Sequence, residues 1–215
     1  MRLTKYTHAC VRLENGGAVL VIDPGIWAEG EALHGAGAVL VTHEHADHVD
    51  RDALRAALDR DPDLGVWTHA DLAAKLAADL DMGDRVHPVA PGDRIGVVGF
   101  DVRVFGGQHA LVHPDVPVVP NVGFLVDGAV FHPGDSFTLP TVDVDTLLVP
   151  AHAPWQKLAE AVDYTRAVRP RLAFGIHDAL LNDRGLATTG AHLRGRTEAY
   201  GVDYRPLAPG ESTDL

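Results

Sequence analysis

The chain has 215 residues, 46% of them hydrophobic and 22% charged, which sustains the core of one folded domain and argues against disorder. A formal charge of −12 argues against a partner held through a polyanionic backbone, because such binding needs clustered Lys and Arg, so no nucleic acid is expected. A single cysteine, Cys10, rules out an intrachain disulfide, the N-terminus lacks a signal-peptide apolar run, and no segment reaches a membrane-spanning length, so a cytoplasmic protein without membrane association is expected.

In chain order, residues 2–14 and 18–23 read as two strands joined at Asn15-Gly16-Gly17, a hairpin signal. AVLVT at 38–42 is a short apolar run that fits a buried strand. It leads directly into HEHADH at 43–48. RDALRAALDR at 51–60 has helical spacing, with Leu54 and Leu58 on one face and Asp50 as N-cap. LGVWTH then reads as a strand and 71–80 as a second amphipathic helix. Pro88 and Pro91-Gly92 punctuate the middle of the chain.

Beyond them, 95–105 and 122–131 read as strands, with Asp127-Gly128 as a hairpin turn, and TLLVP at 146–150 as another buried strand. A helix is expected over 157–168, stopped by Pro170, followed by a strand at 171–177 and a last helix at 190–200. The chain is expected to be one domain, 1–215, of two β-rich halves, about 1–90 and 91–215. Two sheets packed face to face, with helices over both outer faces, follow from that order.

In HEHADH, His43, His45, Asp47 and His48 place four candidate metal ligands in six positions. About 0.005 occurrences of HxHxDH are expected by chance at this composition. Neutral imidazoles and a carboxylate suit zinc and similar divalent ions, and a strand end holds them rigidly. Three later segments, GGQHA with His109, FHPGDS with Asp135 and FGIHD with His177, each put another ligand type at the end of an apolar run, where sites form in layered α/β folds.

HxHxDH, then His, then Asp in a GD pair, then His, with VIDPG at 21–25 ahead of them, resembles the metallo-β-lactamase superfamily over nearly the whole chain. The stretches HALVHPDVPVVPNVGFLV, HPGDS and LLVPAHAPW are most similar to its compact ascorbate-6-phosphate lactonase-like hydrolases. The resemblance implies an α/β fold, a four-layer αβ/βα sandwich. It also implies two divalent ions, Zn2+ or Mn2+, with His43, His45 and His109 on one, Asp47, His48 and His177 on the other, and Asp135 bridging. Such ions, roughly 3.5 to 4 Å apart, share a water and present it as hydroxide at neutral pH. His45 stands where oxygen-reducing diiron members carry a carboxylate, which favours hydrolysis. Asp135 in place of a cysteine sets the chain apart from true β-lactamases, and no room exists for the inserted domain of the RNA-processing nucleases.

His113, four residues beyond His109, is the alternative ligand. His132 is read either as orienting Asp135 or a substrate group, or as a structural hydrogen-bonding residue. His152 and Trp155 either line the pocket mouth, where His152 joins Asp47 and Asp135 in the chemistry by protonating a leaving group or holding an oxyanion, or pack as a loop. His8, within a strand, is read either as facing the metal centre or, the preferred reading, as a satisfied core histidine, Asp23 as fixing the loop beneath the metals, and Cys10 as a buried apolar residue of the first strand. His34, His69, His87 and His192 are read as surface or structural, and Asp59, Asp61 and Asp63 as a solvated loop. The expected function is metal-dependent hydrolysis of a small-molecule lactone or ester. The alternatives are a phosphodiesterase acting on a nucleotide or cyclic nucleotide, and a metal-binding protein without turnover. The pattern admits a homo-oligomer.

Overall fold

In the computed structural model, which describes residues 1–80 and 83–215, the strands pair into two seven-stranded sheets. The first contains β1 (Arg2–Lys5), β2 (Val11–Asn15), β3 (Ala18–Ile22), β4 (Ala38–Leu40), β5 (Gly65–His69) and β6 (Val86–Val89) in sequential order. The second contains β7 (Arg94–Val97), β8 (Phe100–Gly106), β9 (Val122–Val126), β10 (Val130–His132), β11 (Thr146–Pro150), β12 (Leu172–Ile176) and β13 (Asp203–Arg205). The last strand, β14 (Ser212–Asp214), departs from the expected division into halves by returning to pair with β1.

Each sheet is antiparallel at one end and parallel at the other. Hairpins join β1 to β3 and β7 to β10, while β3 to β6 and β10 to β13 run parallel. Parallel neighbours need crossovers, and α-helices supply four of the six, the β3–β4 and β10–β11 connections having none. α1 (Arg51–Arg60) and α2 (Ala70–Leu80) serve the first sheet, and α3 (Leu158–Val168) and α4 (Asp183–Thr197) the second.

Strand alternation then distributes the apolar side chains. Leu20 and Ile22 of β3 and Leu40 of β4 point between the sheets, where they meet Phe124, Leu148 and Phe174 of the second sheet. The intervening Val21 and Val39 point outward onto Leu54 and Leu58 of α1 and Leu72 and Leu76 of α2. On the other side, Leu147, Val149 and Ala173 pack against Ala161 and Tyr164 of α3 and Leu193 of α4. The result is the four-layer αβ/βα sandwich, with strands such as TLLVP and LAFGI buried on both faces because helices cover one and the partner sheet the other.

Several local features differ from the sequence reading. Residues 2–14 form a hairpin rather than one strand. The corner Tyr6–Cys10 lies outside the ladder, with His8 at a φ of 69° and Cys10 buried just ahead of β2. The run 95–105 turns at Val98-Gly99, both at positive φ. α4 begins at Asp183, well before residue 190, because Asn182 caps it through Gly185 N–H. β6 holds Pro88, which an edge strand tolerates. Asp50 caps α1 as expected, its carboxylate accepting the backbone N–H groups of Asp52 and Ala53 at 3.0 Å each. Among the described residues, no helix is long and apolar enough to cross a membrane.

Phe124 is fully buried between the sheets. Phe124→Ala is expected to lower unfolding free energy by about 3–5 kcal/mol, read as a fall in urea midpoint with an unchanged m-value.

Candidate metal centre

The ends of β3, β4, β10, β11 and β12 meet along one rim of the sandwich. There, Asp23 follows β3 with a φ of 51° and no solvent exposure. Its Oδ1 accepts the Thr42 N–H at 2.7 Å, and its Oδ2 accepts the Thr42 hydroxyl at 2.7 Å and His48 Nδ1–H at 2.6 Å. Because the Thr42 hydroxyl proton goes to Asp23, its oxygen is left to accept His43 Nδ1–H at 3.0 Å. Asp23 therefore sets the tautomer of two imidazoles, leaving Nε2 of each as a lone pair.

Glycines let the loops close on this centre. A Cβ on Gly25 would lie 1.9 Å from the Asp47 carbonyl oxygen, and one on Gly134, at a φ of 63°, would lie 2.3 Å from Asn121 Oδ1. Asn121 Oδ1 accepts the Asp135 N–H at 3.0 Å, which orients the segment that carries this carboxylate.

The structure brings all seven proposed ligands together. His43, His45, His109 and Asp135 form one group whose ligand atoms lie within 4.8 Å of one another, and Asp47, His48 and His177 form a second with His8. Asp135 faces both, with Oδ2 3.3 Å from His109 Nε2 and 3.0 Å from His177 Nε2, and Oδ1 3.1 Å from His48 Nε2. His109 donates Nδ1–H to the Ala110 carbonyl and His177 donates Nδ1–H to the His152 carbonyl, each at 2.6 Å. With Nδ1 engaged in each case, Nε2 is the ring nitrogen that faces the carboxylate. Nε2 of His48, His109 and His177, and Oδ1 of Asp135, are accordingly buried without a hydrogen-bond partner. Lone pairs converging in this way fit a cation, and imidazole nitrogen with carboxylate oxygen fits zinc and similar divalent ions.

Electrostatics agree with a ligand set. Burial, reinforced by His48, holds His43 well below the usual imidazole range, and burial lowers His45 as well. Burial opposes ionisation of Asp47, but the His8 hydrogen bond and nearby His48 and His177 bring it down to about 2. Asp135 is likewise held well below the carboxylate range, its burial outweighed by His48 and the other imidazoles. His48 is the exception: burial would lower it, yet Asp135 and Asp23 on either side raise it well above its ordinary value, so these two carboxylates favour a positive charge at this point, which a proton or a metal cation would supply.

His8, for which a core position was the preferred expectation, takes the other reading and faces the centre. It lies outside any strand, its Nε2 sits 3.1 Å from Asp47 Oδ2, and its Nδ1 accepts the Ala179 N–H at 3.3 Å. With Nδ1 accepting, Nε2–H is the donor, so His8 orients Asp47. The sequence signal was only the polar break THAC between two apolar-alternating runs.

His113 is exposed, with its ring turned to Asp115 N–H, while His109 is buried beside Asp135. His132 is structural: buried, it accepts Gly134 N–H and donates to the Ala9 carbonyl. Trp155 donates its indole N–H to Asp135 Oδ2 at 2.9 Å. His152 is half-buried and meets the site through its backbone carbonyl. His69 is buried at the start of α2, accepting Leu72 N–H at 3.4 Å, and His87 stacks on Trp67. His34 and His192 are exposed.

Residues 2–177 match a family described as the β-lactamase superfamily domain. Protein Rv0786c of Mycobacterium tuberculosis is 38% identical over 187 residues, covering 84% of this chain and 85% of its own length. The UPF0173 metal-dependent hydrolase Atu1317 of Agrobacterium fabrum is 34% identical over 122 residues, 51% of this chain and 48% of that one. Among solved structures, Igni18, a metallo hydrolase from the archaeon Ignicoccus hospitalis, is 19% identical and superposes with a TM-score of 0.74, covering 99% of this chain and 97% of that one. At that identity the likeness shows the fold.

Removing the buried imidazole in His109→Ala is expected to lower the bound metal found by elemental analysis, whereas His113→Ala leaves it at the wild-type level.

Proposed function

The chain belongs to the metallo-β-lactamase superfamily, and from that premise we propose that it is a metal-dependent hydrolase cleaving a small-molecule lactone or ester. The observation that carries this reading is the convergence of His48, His109 and His177 Nε2 and Asp135 Oδ1, all buried and unpartnered, where Asp135, a member of one ligand group, comes within 3.1 Å of His48 and 3.0 Å of His177 in the other. The residues fit a pair of divalent ions, zinc or manganese: His43, His45 and His109 would hold one, Asp47, His48 and His177 the other, with Asp135 facing both. Such a pair supplies an acidified water as nucleophile and a Lewis acid toward the attacked oxygen.

The chain's own residues supply position and proton handling. Trp155 and Asn121 fix Asp135, Asp23 fixes His43 and His48, and His8 fixes Asp47. Asp47, held ionised down to about 2, is suited to be a ligand and not an acid. Donation of a proton to the leaving group is assigned to His152, whose backbone carbonyl accepts His177 Nδ1–H and whose side chain is half-buried.

His45 is exposed and Asp47 only partly covered, so the cluster opens to solvent, which favours turnover over a closed structural site.

Asp135→Ala is expected to reduce hydrolysis of a responsive lactone or ester at least about a hundredfold and to lower the metal content from about two ions per chain, as measured by kinetics and elemental analysis. Unchanged turnover in this variant would end the two-metal reading. His152→Gln is expected to retain metal, to lower kcat about a hundredfold and to remove one limb of the kcat pH profile.

A further inference from the structure

Three segments tied to the ligands run out to the surface beside them: 24–28, 107–121 and 178–182. Ile26 N–H bonds the carbonyl of Ala46, between His45 and Asp47, and the Trp27 ring packs edge-on against His8 with centroids 4.8 Å apart. His109 N–H bonds Val119 O, and Ala110 N–H bonds Asp135 O, so the 107–121 loop is held at the centre from both of its arms. Ala179 N–H bonds His8 Nδ1, which places Leu180 next to the same group.

These segments total 25 residues, yet they hold seven of the eleven exposed large apolar side chains among the described residues. Ile26 is 53% exposed, Leu111 56% and Leu180 52%, and Trp27, Val112 and Val118 are exposed with them. Scattered single apolar residues need no explanation, whereas a concentration at a polar centre marks a binding surface.

The same segments contain no Lys or Arg, and neither do 43–48, 135–139 or 151–156, which carry the remaining site residues. Their acids are accounted for or peripheral to this rim: Asp178 is paired with Lys5, and Asp115 stands out in solvent beside His113. A phosphorylated or carboxylated substrate is ordinarily held by Arg or Lys forks; these segments contain none, and the cations that reach them, Lys5 on Asp178 and Lys75 on Glu44, are each paired with a carboxylate. A long apolar group would cover what the rim exposes.

We infer that the substrate is an uncharged ester or lactone bearing an extended apolar acyl or alkyl chain, which lies on the rim formed by Ile26, Trp27, Leu111, Val112, Val118 and Leu180. This rests on the hydrolytic reading above and names the substrate class for it. The reacting carbonyl sits at the ligand cluster and the chain leads away along the rim. Each fully buried methylene multiplies affinity by about four, so even partial coverage gives a strong dependence on chain length.

The test uses the full chain loaded with zinc or manganese. Binding of acetohydroxamate and octanohydroxamate is measured by calorimetry, and hydrolysis is measured with aryl esters and lactones of two to ten acyl carbons. Octanohydroxamate is expected to bind at least about 30-fold more tightly than acetohydroxamate. In Leu111→Ser/Leu180→Ser, with metal content unchanged, that ratio falls to within about threefold of unity. Equal affinity for the two probes would overturn the inference whether or not esters are cleaved. So would a ratio unaltered by the double substitution, or a rim found by sedimentation to be covered by a second copy of the chain with no chain-length dependence. A clear chain-length preference with no ester or lactone cleaved would sink the hydrolytic reading while supporting the apolar-ligand surface.

Discussion

One buried carboxylate organises the site. Asp23 takes three donors at 2.6 to 2.7 Å, one from backbone and two from side chains, and it reaches them only because its backbone turns left-handed where β3 ends. A buried carboxylate is costly unless satisfied in this way, and each donor it takes is thereby fixed. Thr42 passes the constraint to His43, so a residue that is not itself a ligand decides which nitrogen two ligands present. Loss of Asp23 would leave the His48 and Thr42 donors unpaired in the interior and free both imidazoles to turn.

Neither sheet builds the centre alone. The first contributes HEHADH and Asp23, and the second contributes His109, Asp135 and His177. Hydrogen bonds tie the two together beside the cluster, among them Val122 N–H to Thr42 O at 3.0 Å, His177 N–H to His8 O at 3.0 Å, and His132 Nε2–H to Ala9 O at 2.9 Å. The left-handed conformations of His8 and His177, at φ 69° and 55°, are the local strain that these cross-sheet bonds hold in place. The inter-sheet core beneath them, with Phe124 and Phe174 against Leu20 and Ile22, keeps the half-sites in register. The fold and the site are therefore coupled through the same rim.

Much of this was legible in the residues. The ligands of the first sheet sit within one six-residue stretch, and His109, Asp135 and His177 each follow an apolar run, because a buried strand must be apolar and a site at its end must be polar. Asp50 and Asp127-Gly128 announce their cap and turn through local chemistry that tertiary contacts do not override. The misses share a cause. His8 joins the centre through a partner 39 residues away, and nothing in THAC reports that contact. β13 and β14 are three-residue strands made by pairing with β12 and β1, and β6 carries a proline that its edge position excuses. α4 contains Gly185 and Gly190, which weaken a helix by propensity but here give way to packing on α3 and β13.

Charge gives the site its character. The protein is acidic overall, and the segments that carry the site lack Lys and Arg, so the polypeptide offers little positive charge where an acyl oxygen would become negative during hydrolysis. Its carboxylate ligands there, Asp47 and Asp135, are held ionised and would oppose that change. In the proposed centre, two divalent ions would carry four positive charges against the two negative charges of these ligands, a surplus of two that would make it attractive to a developing oxyanion. An apolar rim then works in the same direction, because a substrate chain lying on Trp27 and Leu111 displaces water and lowers the local dielectric, which strengthens every charge interaction at the cluster. On this reading, a mouth with few cations suits the chemistry: a basic rim would compete with the proposed metal pair for the same negative charge and hold it away from the reacting carbon.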